Sequence, residues 1–319
     1  MRSVTVVVNE RCPLRCRHCS VGFSESYRGN SYRIEEAELV RIIEGIDRSV
    51  YGAVLFAGGE PSLDPWLVKA GVDACRRAGL ASSMITAPIW ASSEESADKF
   101  LDQVEGLRAI TLSFDLYHLE FLKCKHYEIA TRQAVKRGLH VQFHVTYSKE
   151  AEKAVLMTSI APILPLIDVS FMRAVPVGNA ATQVEMEYVT IETIADFEAI
   201  PRGCFLGKAI IDPKLQVHGC CWSSLGEKSP FSSRPGEDHS AAFAKMEESA
   251  VFQAVMKNGF IDSLSDRGKE LLLDRVRGQR FVTECDLCVA TMKEGAEGVW
   301  RECGRHVPVD ADLVASAKA

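Results

Sequence analysis

Short apolar runs alternate with longer amphipathic ones along the first two thirds of the chain. "SVTVVVN" (3–9), "GAVLFAG" (52–58), "LASSMITA" (80–87), "LRAITLSFD" (107–115), "LHVQFHVTYS" (139–148) and "IDVSFMRAV" (167–175) have the length and side-chain content of strands. Between them, residues 33–46, 65–79, 92–104, 119–138 and 151–164 place apolar residues at helical spacing. The serines that open the third of these helices are suited to cap it. Six strands with helices between them build right-handed βαβ units and a parallel sheet, so the predicted fold class is α/β. Apolar strands without polar alternation fit a sheet covered on both faces. An open or incomplete barrel satisfies the pattern as well as a doubly wound sheet does.

The pattern changes near residue 195. "CFLGKAIIDPKLQVHGCC" (204–221) reads as two short strands around an Asp-Pro turn. Residues 225–240 are rich in Ser, Gly, Pro and charge and read as a loop. Helical stretches follow near 242–257 and 265–277, then "ECDLC" and a tail with one more cysteine. This portion offers little obvious core of its own, which a stapling metal centre would explain.

Composition narrows the function classes. The chain has 319 residues, 47% hydrophobic and 25% charged, enough for a sizeable core. No run is long and apolar enough to span a membrane, and the start "MRSVTVVVNE" does not make a signal peptide. A net charge of −6 with dispersed Lys and Arg argues against a general nucleic-acid binder.

Eleven cysteines are many for a chain without an export signal. They cluster at 12, 16 and 19, at 204, 220 and 221, and at 285, 288 and 303. In a reducing, cytoplasmic setting such clusters read as metal or iron–sulfur ligands. Cys75 and Cys124 stand apart on helical stretches and read as small buried hydrophobes. The first cluster, in "NERCPLRCRHC", follows the first strand with spacing C-x3-C-x2-C. Functional residues of parallel α/β folds collect at the carboxyl ends of strands. "GGEPS" (58–62), "SFDLYH" (113–118) and "RAVPVGNA" (173–180) lie at the same end. Three thiolates on a cubane leave one iron open, as an open position does in a catalytic metal site. Zinc completed by His18 is the competing reading, and His18 is crowded between Arg17 and Cys19.

The cysteine spacing after the first strand, with "GGEP" after the second, resembles the radical S-adenosylmethionine (SAM) superfamily. The resemblance implies a partial (β/α)6 TIM-like barrel followed by a small α+β domain. It implies that Cys12, Cys16 and Cys19 hold a 4Fe–4S cluster whose open iron is chelated by SAM. Reductive cleavage of SAM then yields a 5′-deoxyadenosyl radical that abstracts a substrate hydrogen atom. His18 stands where the family usually has an aromatic ring. Gly58, Gly59 and Glu60 match the motif that receives the SAM amino group. Ser113 and Asp115 resemble polar residues that contact the ribose. His118 and His144 read as polar pocket lining or internally satisfied histidines. An external one-electron donor such as flavodoxin or ferredoxin is implied as a partner.

Cys204, Cys220, Cys285 and Cys288 form C-x15-C … C-x2-C, which looks like the twitch form of the SPASM extension. That likeness implies one auxiliary 4Fe–4S cluster and three divisions: a core over 1–195, a twitch domain over 196–308 and a tail over 309–319. A structural zinc fits the spacing alone. The glycine the family commonly places five residues before the second ligand is Leu215 here. Cys303 is left as a structural residue or an alternate ligand. Cys221, beside a ligand, is a candidate hydrogen donor of the kind a radical epimerase needs; Cys124 is the alternative donor. Arg173 on the sixth strand is a candidate catalytic residue and anchor for a carboxylate. The expected substrate is a ribosomally made peptide, to be epimerised or crosslinked. The chain begins directly at the first strand, without the leader-binding domain of many peptide-modifying relatives. A dehydrogenase of a small molecule such as an amino sugar, and a non-catalytic iron–sulfur or zinc regulatory protein, stand as alternatives.

Overall fold

Six parallel strands lie side by side in the order in which the chain makes them. They are β1 (Arg2–Asn9), β2 (Tyr51–Gly58), β3 (Ala81–Thr86), β4 (Ala109–Phe114), β5 (His140–Tyr147) and β6 (Asp168–Arg173). The connecting helices are α1 (Glu36–Glu44), α2 (Pro65–Ala78), α3 (Glu94–Gln103), α4 (Cys124–Lys136) and α5 (Glu150–Ser159). The structure is a computed structural model that describes residues 2–20, 33–202, 209–220, 232–233, 236–292 and 297–304. Local sequence sets the helix ends. Ser93 caps α3 by accepting from the Ser96 N–H at 3.1 Å. Pro65 opens α2, and Gly79 at φ +68° closes it in the left-handed conformation.

Among the described residues, helices cover one face of this sheet only. Phe56 meets Gly71 of α2, and Phe114 packs edge-on against Tyr127 of α4 at 4.8 Å. Alternate residues on the other face are half-buried: Ser83, Ile85, Thr111, Ser113, Gln142 and His144. The expectation of two covered faces is therefore corrected. The second face is a half-open, largely polar surface, and the arrangement is the partial-barrel form of the α/β class.

The remaining elements are short: α6 (Ala180–Gln183), β7 (Val189–Thr190), β8 (Ala209–Ile211), β9 (Val217–His218), α7 (His239–Glu248), α8 (Ala250–Asn258), α9 (Asp266–Val276), β10 (Arg280–Phe281), α10 (Glu284–Ala290) and α11 (Glu297–Arg301). The helix expected near 242–257 is broken at Ser249, whose hydroxyl caps α8 by accepting from the Phe252 N–H. β8 runs parallel to β1 and extends the sheet beyond it, and β9 returns antiparallel. Asp212 closes this hairpin by accepting from the Lys214 and Gln216 N–H groups, each at 2.9 Å. Leu215 in the turn has φ +66°, and no other described non-glycine residue has a positive φ. The turn thus takes a left-handed conformation without glycine, the residue that adopts it most easily.

The C-terminal part has an apolar core after all. Phe197, Phe260, Ile261, Leu272 and Val276 are all fully buried. Their spacing in the chain hid this core, because each short element contributes only one or two of them. A polar contact ties this part to the amino end of the barrel. Glu247 of α7 accepts from Arg2 at 2.6 Å and from the Tyr51 hydroxyl at 3.0 Å. Truncation by Glu247→Ala leaves a half-buried guanidinium unpaired, and the expected loss is about 2 kcal/mol. Urea denaturation checks this; an unchanged midpoint means the contact is not made.

Candidate cofactor site

Because the six strands are parallel, every loop at their carboxyl ends meets on one side. The cysteine loop leaves β1 at Asn9. The end of β2 lies directly against it: the Gly59 N–H donates to Asn9 O at 2.8 Å and the Glu60 N–H to Arg11 O at 2.6 Å. Both glycines are needed for space. A methyl group on Gly58 would sit 2.6 Å from Asn9 O, and one on Gly59 would sit 2.2 Å from Arg11 O. The loop's far end is held from β6. The Asn179 N–H donates to Cys19 O at 3.0 Å, and its side-chain amide donates to Cys16 O at 3.2 Å. Gly178, at φ +61°, lies so close to Ser20 O and Cys19 O that a side chain has no room. Asn179 and Gly178 were within a strand-end run read as suggestive, but their support of the cysteine loop was not visible from spacing.

Cys12, Cys16 and Cys19 share this loop, near enough for charge on Cys16 and Cys19 to act at Cys12. Burial pushes the Cys12 thiol up to about 12, and the nearby charges of Glu60, Cys16 and Cys19 push the same way. Cys16 is buried and Cys19 half-buried. A thiol raised as Cys12 is ionises readily only beside positive charge, which metal ligation supplies. The donor set therefore fits an iron–sulfur cluster.

Glu60 departs from its expected role. Its carboxylate is only 2% exposed. It accepts from the Ser62 N–H at 2.9 Å, the Thr86 hydroxyl at 2.5 Å and the Ala87 N–H at 2.8 Å. Burial raises its pKa, and those hydrogen bonds act against the rise. The side chain clamps the end of β2 to the end of β3, which leaves the backbone of the motif, rather than this carboxylate, to face a ligand. Thr86 is a residue that sequence reasoning missed.

Asp115 is also turned inward, with no exposed surface. It accepts from the His118 N–H at 2.8 Å and bonds the His118 Nδ1 at 2.8 Å. His18 Nε2 lies 3.4 Å from the same carboxylate. Asp115 thus orients two imidazoles. Burial alone would lower the His118 pKa; the Asp115 carboxylate and Cys16 outweigh it and bring the value up to about 10. His18 behaves oppositely, its pKa lowered to about 4 mainly by burial. It stacks on Tyr117 with ring centroids 4.7 Å apart, so the imidazole takes the packing place of an aromatic ring. Its Nδ1 is buried without a partner. Cys16, His18 and His118 present their ligand atoms within 4.8 Å of one another.

Ser113 and His144 lie on the half-open face, where the His144 Nδ1 pairs with the Ser170 hydroxyl at 3.1 Å. Arg173 does not. It pairs in register with Tyr147, whose ring carries Lys153 of α5 at 4.1 Å, on the helix-covered side. Its guanidinium reaches Glu150 and Glu187 at 3.3 and 3.4 Å. Residues of that parity on β6 point away from the polar face.

Of the second cysteine set, Cys204 and Cys221 lie outside the described residues. Cys220 packs with Cys285 and Val175, just beyond β6. Cys285 and Cys288 are buried on α10. Cys303 is buried in the second core with the Ser263 hydroxyl 2.9 Å from its sulfur, a structural placement. Cys75 is fully buried in α2, as expected, and Cys124 is half-buried at the start of α4.

Residues 6–142 match the family model of the Radical SAM superfamily. No curated protein matches the chain. Among solved structures it is similar to a radical S-adenosylmethionine methyltransferase, TsrM, from Kitasatospora setae, with cobalamin and a 4Fe–4S cluster bound. Identity is 15% over 58% of this chain and 39% of that one, with a TM-score of 0.42. This chain thus spans about two fifths of that methyltransferase. It is also similar to BtrN in complex with AdoMet and 2-DOIA, at 11% identity over 81% of this chain and 86% of that one, with a TM-score of 0.31. Among the described residues, no helix is long and apolar enough to cross a membrane.

Proposed function

We propose that the chain is a radical SAM enzyme in which Cys12, Cys16 and Cys19 hold a 4Fe–4S cluster, with SAM seated against the backbone of Gly58 and Gly59. The close backbone contact between the three-cysteine loop and the glycine-tight end of β2 carries this reading. When bound, the cluster supplies the single electron that cleaves SAM to a 5′-deoxyadenosyl radical. The chain's own residues do the rest. Gly59 and Asn179 hold the two ends of the cysteine loop. The hydroxyl, amide and imidazole groups of Ser113, Gln142 and His144 line the half-open face, which suits a substrate rich in hydrogen-bonding groups.

The finer reading is peptide modification, with epimerisation first and crosslinking second. What supports it is the spare Cys221 beside Cys220, a thiol able to return a hydrogen atom to a carbon radical. An auxiliary 4Fe–4S cluster on Cys204, Cys220, Cys285 and Cys288 belongs to the same proposal, supported by the packing of Cys220 against Cys285. A second reading, dehydrogenation of a small polar molecule, draws support from the same polar face and from an auxiliary cluster as acceptor of the second electron. An external low-potential one-electron donor is required in both. Anaerobic incubation of the reconstituted protein with SAM and dithionite is expected to release 5′-deoxyadenosine. Iron-loaded protein that releases none would end the enzyme reading. With substrate, Cys221→Ala is expected to stall an epimerase while leaving 5′-deoxyadenosine formation intact; undiminished turnover would favour the dehydrogenase.

A further inference from the structure

One group at the cysteine loop has no part in the ligand set yet touches it. His118 is fixed from behind by Asp115, which engages its Nδ1 and its backbone N–H. The ring's other nitrogen is thereby left for the front, where the ligand atoms of His118 and Cys16 lie within 4.8 Å of each other. Cys16 is the ligand held at its carbonyl by Asn179, so sulfur and imidazole are both constrained. His18, stacked on Tyr117 and edge-on to His118 at 5.1 Å, closes the remaining side.

We propose that Asp115 and His118 form a positioning pair that aims an N–H at the Cys16 sulfur and raises the reduction potential of the cluster this cysteine holds. The inference rests on the reading of Cys12, Cys16 and Cys19 as cluster ligands. The physical reason is charge. One electron enters from the external donor, no bond is made or broken, and the cluster gains one negative charge that spreads onto its thiolates. A donated N–H stabilises that added charge more than it stabilises the oxidised form, and such hydrogen bonds are among the levers that set cluster potentials. Asp115 matters because a buried carboxylate behind the ring holds the imidazole in one orientation, as second-shell carboxylates do for metal-bound histidines. Tuning of this kind suits a cluster that must be reduced by a soluble donor before it can act.

The test is an EPR-monitored redox titration of reconstituted protein, read on the signal that the Cys12/Cys16/Cys19→Ala variant lacks. Iron and sulfide are measured first on the same samples. The paired substitution His118→Phe with Asp115→Asn removes the donor without stranding a buried carboxylate. It is expected to cut the reduced-to-oxidised ratio about tenfold at the wild-type midpoint, a shift of about 59 mV to lower potential for a one-electron couple. His118→Gln, which keeps an N–H at a similar reach, is expected to restore most of the shift. A loaded variant with an unmoved or raised midpoint overturns the proposal and leaves the ligand assignment standing. A wild type that binds no iron at the three cysteines overturns both. Pulsed EPR of wild type labelled with ¹⁵N-histidine reads the contact without relying on any variant's stability. A nitrogen coupling that persists when His18 is replaced by Phe supports the pair, and its absence overturns it.

Discussion

Replacing Cys12, Cys16 and Cys19 together by alanine is expected to lower the iron content from about eight to about four per chain and to abolish 5′-deoxyadenosine formation. Burial raises the Cys12 thiol, and the nearby charges of Glu60, Cys16 and Cys19 raise it further, so bound metal is what favours its thiolate. Without the thiolates nothing in the loop can hold iron, because the Glu60 and Asp115 carboxylates are both committed to internal hydrogen bonds. The fold should survive. The loop's attachments run through backbone atoms of Asn9, Arg11, Cys16 and Cys19, which alanine preserves. Circular dichroism on the variant should therefore match the wild type. The remaining iron reports the second cysteine set. About four irons in the wild type and none in the variant would remove the auxiliary cluster and keep the radical SAM site. Zinc in place of the residual iron would leave a radical enzyme with a structural C-terminal metal.

Much of this site could be read in advance because its signals are local. Each strand is a short apolar run, and the cysteines and the glycine pair immediately follow the first two of them. Parallel connectivity then does the rest by bringing all carboxyl ends together. What escaped depends on partners far along the chain. The Glu60 carboxylate bonds the hydroxyl of Thr86, 26 residues away. The face that Arg173 occupies is decided by its pairing with Tyr147 and by the position of Lys153 over that ring. His118 and His18 turn Asp115 inward.

The second portion was harder to read for a different reason. Its core is assembled from residues spread between Ile191 and Cys303 on elements of two to eleven residues. No window of sequence contains enough of them to show a period. The hairpin is the exception. Its Asp-Pro turn was legible, and the glycine missing at Leu215 left the register open. The backbone there is left-handed all the same. Steric cost at one turn residue, of order 1–2 kcal/mol, is small enough for the surrounding hairpin to impose.

The most severe single substitution is expected to be a methyl group at Gly59. Gly59→Ala places a carbon 2.2 Å from Arg11 O, 2.5 Å from Arg11 C and 2.8 Å from Glu10 C, all backbone atoms. A flexible side chain could swing away from such a contact; backbone cannot, so β2 and the cysteine loop must part. Two hydrogen bonds that join them, Gly59 N–H to Asn9 O and Glu60 N–H to Arg11 O, would be stretched or lost. Overpacking against rigid atoms, with those bonds added, should cost about 3 kcal/mol or more. At roughly 2–4 °C per kcal/mol, that lowers the thermal midpoint by about 6–12 °C. Iron at the three-cysteine site should fall with it, since Cys12 directly follows Arg11. Gly138→Ala separates space from conformation. Gly138 has φ +76° with nothing within 4 Å, so alanine there meets only backbone strain, about 1–2 kcal/mol, far from the cysteines. It should lower the midpoint modestly and leave the iron content unchanged. A Gly59→Ala protein as stable and as fully loaded as wild type would mean that the glycine motif and the cysteine loop are not in contact, and the site would have to be rebuilt from a different pairing of β1 and β2.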